Sequence, residues 1–201
     1  MKWNELADKE TLDRTVKALR GRDFEVAVAK NGAEAKERIK ELVPEGSNVY
    51  QISSTTLDQI GFTKELEEGR RYASAKVKIE AIGDHEERQR ARKGLTPDYV
   101  VGSVQAVTEE GQLLVASASG SQIPPYSFTA SHVVLVIGTQ KVVKDLAEGM
   151  KRIYEHALML ESGRVRKAYG MPSSVVNMVL VLEKGMQGRI SVIFVEESLG
   201  F

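Results

Sequence analysis

Residues 98–138 read DYVVGSVQAVTEEGQLLVASASGSQIPPYSFTASHVVLVIG. Three runs within them have strand character, Tyr99 to Val107, Leu113 to Ser117 and Val133 to Ile137, rich in valine and leucine and bounded by glycine, serine and proline. The first two are separated by Thr108-Glu109-Glu110-Gly111. This turn ends in the residue that takes positive φ at least cost, so the two runs are expected to fold back as a hairpin. A loop of small residues, Ser119-Gly120-Ser121, leads toward the third run, whose unbroken apolar character marks a buried strand. Loops at the ends of such strands are where α/β sheets hold ligands.

On the N-terminal side of this centre, helical and strand spacings alternate. Leu12, Val16 and Leu19, with Trp3 and Leu6 before them and Gly21 after, predict an amphipathic helix over 3–20. Phe24 to Ala29 reads as a strand, and Gly32 to Val43 as a helix ended by Pro44. Asn48 to Ser53 is a second strand. Two short helices divided by Gly61 follow over 56–68, then a third strand from Lys76 to Ile82 and an exposed helix from Asp84 to Lys93. On the C-terminal side, Val142 to about Leu160 keeps a three-four apolar rhythm and predicts one long helix. Residues 161–174 read as a basic, irregular connection, and Val175 to Leu182 and Ile190 to Val195 close the chain as strands. The alternation predicts a single α/β domain over residues 1–201, a three-layer α/β/α arrangement with a mixed, mostly parallel sheet in which the hairpin is embedded.

Composition excludes several classes of function. The 201 residues carry 28 basic and 28 acidic side chains, so no net field draws the chain to nucleic acid or an anionic membrane, and neither is expected as a partner. Near-zero charge favours self-association, and a homodimer through the exposed helix or the hairpin is one expectation. Absence of cysteine removes disulfides, thiolate metal sites, cysteine-ligated clusters and cysteine nucleophiles together. The N-terminus, Met1-Lys2-Trp3-Asn4-Glu5, has no apolar signal-peptide core, and no apolar run is long enough to span a bilayer, which points to a cytoplasmic address.

Four segments carry a family resemblance: Ser53-Ser54-Thr55-Thr56-Leu57 with Ile60-Gly61; Asp98 to Ser103 leading to Ala106 to Gly111; Val136-Ile137-Gly138-Thr139-Gln140-Lys141 continuing to Leu146; and the ending Ile193 to Phe201. In these the chain resembles the lactate-utilization, or LUD, domain family. The resemblance implies the fold of sugar-phosphate isomerases, coenzyme A transferases and formyltetrahydrofolate cyclo-ligases (NagB/RpiA/CoA transferase-like) and an association with oxidation of lactate to pyruvate. It carries over no agreed catalytic residues. Longer relatives add a cysteine-rich iron-sulfur region that this sequence does not contain, so such a cluster would belong to a partner chain.

Ser53, Ser54, Thr55 and Thr56 stand where a strand gives way to a helix, a place for phosphate or carboxylate, although serine and threonine cap helices of every kind. Ser117, Ser119, Gly120 and Ser121 form a candidate second wall, with Tyr126 and Phe128 set either to close over a ligand or to enter the core. Lys141, just past the third strand, is placed to neutralise an anionic substrate. Thr108, Glu109, Glu110 and Gly111 offer paired carboxylates for base or nucleophile chemistry; the ordinary alternative is a solvated turn. His85, His132 and His156 have no ligand spacing, so no metal is expected, and no nucleotide or cofactor fingerprint is present, so no cofactor is expected either. Arg164, Arg166 and Lys167 are candidates for docking a phosphate or a partner. Two functions remain open: a pocket for a small anionic metabolite, or a non-catalytic subunit docked on an iron-sulfur or flavin oxidoreductase that oxidises lactate. Convergence of Ser53, Thr108, Ser119 and Lys141 on one concave site would favour the first.

Overall fold

The computed structural model describes residues 3–201; Met1 and Lys2, at the start of the segment read above as lacking a signal-peptide core, lie outside them. Helix α1 (Lys9–Gly21) begins later than the apolar spacing predicts, because the Asp8 side chain accepts the Thr11 N–H at 2.8 Å and caps it. Strand β1 (Glu25–Ala29) and helix α2 (Gly32–Leu42) follow. Asn31 caps α2 by accepting the Glu34 N–H, while Glu34 reaches back to the Lys30 N–H, a reciprocal arrangement that satisfies two free donors. Next come β2 (Asn48–Gln51), α3 (Thr55–Gln59) and α4 (Phe62–Glu67), with Gly61 left-handed at φ 76 between the two helices.

The third strand expected at 76–82 is instead helix α5 (Ala75–Glu80), preceded by a two-residue strand β3 (Ala73–Ser74). Ala75, Val77 and Ile79 alternate as in a strand, but Ala75 and Ile79 are also one helical turn apart. The Ser74 hydroxyl caps that turn at the Val77 N–H, and Val77 is left 46% exposed. Helix α6 (His85–Lys93) forms as expected between the Asp84 cap and Gly94, and none of its residues is buried.

The run 99–107 divides into β4 (Tyr99–Gly102) and β5 (Ala106–Thr108), which belong to different sheets. β6 (Leu113–Ser117) pairs with β5 antiparallel, so the hairpin exists, with Gly111 at φ 86 in its turn, but it lies outside the main sheet. After β7 (His132–Gly138) and a 3-10 turn at Thr139–Lys141, the first residues of the predicted long helix pair instead as strand β8 (Val142–Val143), where two β-branched side chains run beside β5. Asp145 then caps α7 (Leu146–Arg152), a π turn occupies Ile153–Ala157, and α8 (Leu158–Tyr169) continues through the segment read as irregular, ending at left-handed Gly170. β9 (Met178–Leu182) and β10 (Ile190–Val195) complete the strands.

The architecture is three-layer α/β/α with a mostly parallel sheet. The six-stranded sheet, in order β1-β10-β7-β4-β2-β3, has every pair parallel; the antiparallel pairs gather in a smaller sheet of order β8-β5-β6-β9. Alternation along the central strands supplies both faces. Val101, Val134, Val136 and Ile193 meet Ala35, Ile39, Leu57 and Phe62 of α2, α3 and α4. Val100, Leu135, Ile137 and Phe194 meet Leu12, Val16 and Leu19 of α1 together with Val107 and Val115 of the small sheet. The far side of the small sheet, at Ala106, Leu114 and Val143, packs with Ile153, and Trp3 packs beside that cluster. Among the described residues, no helix is long and apolar enough to cross a membrane.

Candidate functional site

Because β2, β4, β7 and β10 run parallel, the segments leaving their carboxyl ends meet along one edge. There they bound a cleft of about 470 Å³, closed on its other side by the end of β6, the Ser119–Gln122 loop, the π turn and α8. The cleft is within the range of small-molecule sites. Ser53, Ser54, Thr55 and Thr56 line it after β2, Ser103 after β4, Lys141 after β7, and Ser119 and Ser121 face them.

Lys141 is the unusual member. It is 2% exposed, and its Nζ donates to Thr56 Oγ1, Ser103 Oγ and the Val104 carbonyl, each at 3.1 Å. All three are neutral oxygens, and among the described residues no carboxylate forms an ion pair with this amine. A second cation whose charge acts on it is Arg152, which is fully buried and donates to the Gln105 carbonyl and, at 3.5 Å, to that of Trp3. Its Nε has no acceptor among the described residues. Burial lowers the guanidinium to about 10, and burial followed by the charge of Arg152 holds the Lys141 amine well below the usual lysine range. Two buried cations with only neutral acceptors are costly, and the cost falls when an anion enters or one group gives up its proton.

Several parts of this arrangement depend on space left by glycine or on a buried hydroxyl. The Tyr126 phenol donates to the Ser103 carbonyl and accepts the Ser103 N–H, both at 3.1 Å, which fixes the backbone beside Lys141. Burial raises the pKa of that phenol, keeping it a donor. Arg189 in turn holds the loop carrying Tyr126, donating to the carbonyls of Pro125, Tyr126 and Ala130. Against the Lys141 amine lies the segment at Gly200, where an added Cβ would stand 3.1 Å from Nζ. Gln140 Nε2 donates to the Leu199 carbonyl at 2.7 Å, the Gly200 N–H donates to Gln59 Oε1 at 2.7 Å, and Phe201 lines the cleft.

The other expected residues are elsewhere. Thr108 is buried and bonded to Gln112, and Gly111 packs on the backbone of Ala18 and Leu19 in α1. Glu109 pairs with Arg14 at 3.0 Å, and the Glu110 carbonyl accepts from Arg22. None of these four lines the cleft, because the hairpin turn points toward α1; convergence therefore holds for Ser53, Ser119 and Lys141 but not Thr108. Gly120 also stays outside the lining, its N–H bonded to Ser117 Oγ at 2.9 Å. Ser54 is the N-cap of α3, its oxygen accepting the Leu57 N–H, and with only five residues that helix has a slight dipole. Tyr126 enters the core, whereas Phe128 is 84% exposed. His132 stacks on Tyr99, His156 lies beside Trp3 and His85 starts α6, three separate places. Arg164 lines the cleft bound through two nitrogens to Glu161, and Arg166 bonds the Pro172 carbonyl.

Sequence reasoning missed Ser103, Lys76, Glu161 and Arg152. Ser103 follows Gly102 at a strand exit, the signal that singled out Lys141. Arg152 left no comparable sign.

A family profile described as the LUD domain matches residues 12–195. Among solved structures, the chain is similar to a DUF162 family protein from Deinococcus radiodurans, with a TM-score of 0.57 and 14% identity, covering 95% of this chain and 99% of that one. At that identity the likeness concerns the fold. A search of curated protein sequences gives no match.

Proposed function

The chain belongs to the LUD domain family, and we propose that it binds a small organic anion of carboxylate metabolism in the cleft between Ser53–Thr56, Ser103, Ser119 and Lys141. The observation that carries this reading is the Lys141 amine, buried on the cleft wall among three neutral oxygens with the charge of buried Arg152 acting on it. The field of Arg152, joined by that of Lys141 whenever its amine carries a proton, falls in a low-dielectric recess, where it attracts an anion more strongly than surface charges do. Hydroxyls of Ser53, Ser54, Thr55, Ser103, Ser119 and Ser121 supply donors without further charge. The association of the family with lactate utilization directs attention to a carboxylate. A cleft of 470 Å³ has room for about sixteen waters at their liquid volume, so the anion extends beyond a three-carbon acid or shares the site with solvent.

The test is thermal-shift and calorimetric titration of the chain with lactate, pyruvate, coenzyme A esters and sugar phosphates, beside Lys141→Ala and Ser103→Ala. A native-state ligand at a hundredfold excess over Kd stabilises by about 2.7 kcal/mol. A shift with one class that both variants lose supports the reading; shifts that persist in both refute it.

A second reading, an accessory subunit of an iron-sulfur or flavin lactate-oxidising complex, draws on one observation. Tyr169 and Val175, which line the cleft, and Met171 and Met178, near them in sequence, are exposed apolar side chains of the kind partner chains cover. Serine substitutions at Met171 and Met178 that leave ligand shifts intact but abolish co-purification with such an oxidoreductase would support it.

A further inference from the structure

We infer that the Lys141 amine is a nucleophile toward carbonyl carbon, so that the cleft takes an anionic aldehyde or ketone and joins it covalently as an imine. This rests on the anion-binding reading and adds a reaction to it. The surroundings of Nζ are those of an activated amine. Among the described residues no carboxylate pairs with it to hold it as an ammonium, the charge of buried Arg152 acts on it, and water is kept from it by the segment at Leu199 and Gly200. Desolvation and a neighbouring cation are the two means by which lysine is made nucleophilic. Both lower the amine here, which enlarges the share of free base.

The three contacts suit the neutral amine as well as the ammonium. The Val104 carbonyl can only accept, and takes one N–H. Thr56 and Ser103 carry hydroxyls, which can donate as well as accept, so either can turn its O–H toward the nitrogen lone pair. Rotating that hydroxyl away frees the lone pair.

The step balances without any oxidant or reductant. The Nζ lone pair forms the C–N bond while the carbonyl π pair moves to oxygen, and that oxygen gains one of the two N–H protons to give a carbinolamine. The hydroxyl then leaves with the second N–H proton, so that amine plus carbonyl becomes imine plus water. Thr56 Oγ1 and Ser103 Oγ, 3.3 Å apart and both bonded to Nζ, are placed to pass these protons. Arg152 stays charged throughout and supplies the field that holds the anionic end of the substrate.

The experiment traps the imine. The full chain is incubated with glyoxylate or pyruvate and cyanoborohydride, and adducts are mapped by peptide mass spectrometry; each adds the mass of the oxo acid less one oxygen. Lactate, which has no aldehyde or ketone group, is the control. The expected result is modification at Lys141 ahead of every other lysine, including cleft-lining Lys76, and loss of that adduct in Lys141→Met. Site ranking within the unaltered chain keeps the test decisive even where Lys141→Met folds poorly. Equal labelling of Lys141 and exposed lysines overturns the inference. Calorimetric binding of the oxo acid without an adduct at Lys141 overturns it too and leaves the anion reading standing; neither binding nor adduct removes both.

Discussion

The phenolic oxygen of Tyr126 occupies the space that a side chain on Gly102 would need. Glycine is required there by a close approach, since β4 must let a ring from the 125–129 turn reach the Ser103 peptide. Tyr126→Phe removes one donor and one acceptor in a buried place and leaves the Ser103 N–H and carbonyl without partners. The expected loss is about 1–3 kcal/mol, read in calorimetry as about 2–4 °C per kcal/mol for a chain of this size. Gly102→Ala forces the ring out and costs at least as much. Both variants also displace Ser103 from Lys141, so ligand shifts weaken in each.

Arg152 and Lys141 predict a pH dependence with a definite sign. The native amine is lowered and the unfolded one titrates near 10.5, so between those values the unfolded state binds more protons. Stability contributed at this site therefore rises with pH across the window, and the penalty is complete once pH falls below the native value. Melting temperatures of the unaltered chain and Lys141→Met, compared from about pH 7 upward, should diverge in favour of lysine as pH rises. Readings begin there because burial and Arg152 also lower His156, ordinarily near 6.5. Arg152→Met takes away the charge that adds to burial in holding the amine down, so the pH profile of Lys141 acylation should move toward higher pH. An unmoved profile would mean that burial alone sets it.

What the sequence displays and what it hides follow from the reach of each interaction. β6, β7 and β10 are legible because their apolar residues have nowhere to go but a core. The exits of β2 and β7 are legible because hydroxyls and a lysine directly after a strand land at a sheet edge. Ala75 to Glu80 satisfies strand and helix spacing equally, and a single capping hydroxyl on Ser74 settles it. Tyr99 to Val107 looks continuous, yet Ser103 to Gln105 carries the chain from one sheet to the other, a choice made by tertiary packing. The carboxylates at Glu109 and Glu110 misled because a turn between strands has the same composition whether it faces a cleft or, as here, α1. Arg152 is hidden because arginine on a helix is normally exposed, and its burial is made tolerable by the Gln105 and Trp3 carbonyls, distant in sequence.

Glu109→Gln and Glu110→Gln should leave ligand shifts, adduct formation and melting temperature close to those of the unaltered chain. The Glu109 side chain pairs with the half-exposed Arg14, an ion pair screened by water and salt, while its N–H, which donates to the Val143 carbonyl, is retained, as is the Glu110 carbonyl. Loss of binding in either variant would return the hairpin turn to the site.

Gly200 and Gly170 together separate two effects of an added methyl group. Both are left-handed, at φ 66 and 67, so alanine at either position meets the same backbone strain, about 1–2 kcal/mol. At Gly170 a Cβ meets nothing within 4 Å, whereas at Gly200 it would overlap Thr56 Oγ1 and lie 3.1 Å from the Lys141 amine. Gly170→Ala should therefore destabilise the end of α8 and leave the labelling rate of Lys141 unchanged. Gly200→Ala must lift the 199–201 segment, breaking the bond from the Gly200 N–H to Gln59 and letting water and reagent reach the amine. Its expected signature is faster hydrogen exchange at that N–H, faster acylation of Lys141, and a Lys141 profile shifted toward higher pH as desolvation is relieved. Equal labelling rates in the two variants would show that the segment does not shield the amine, and the low exposure of Lys141 would then rest on Thr56 and Ser103 alone.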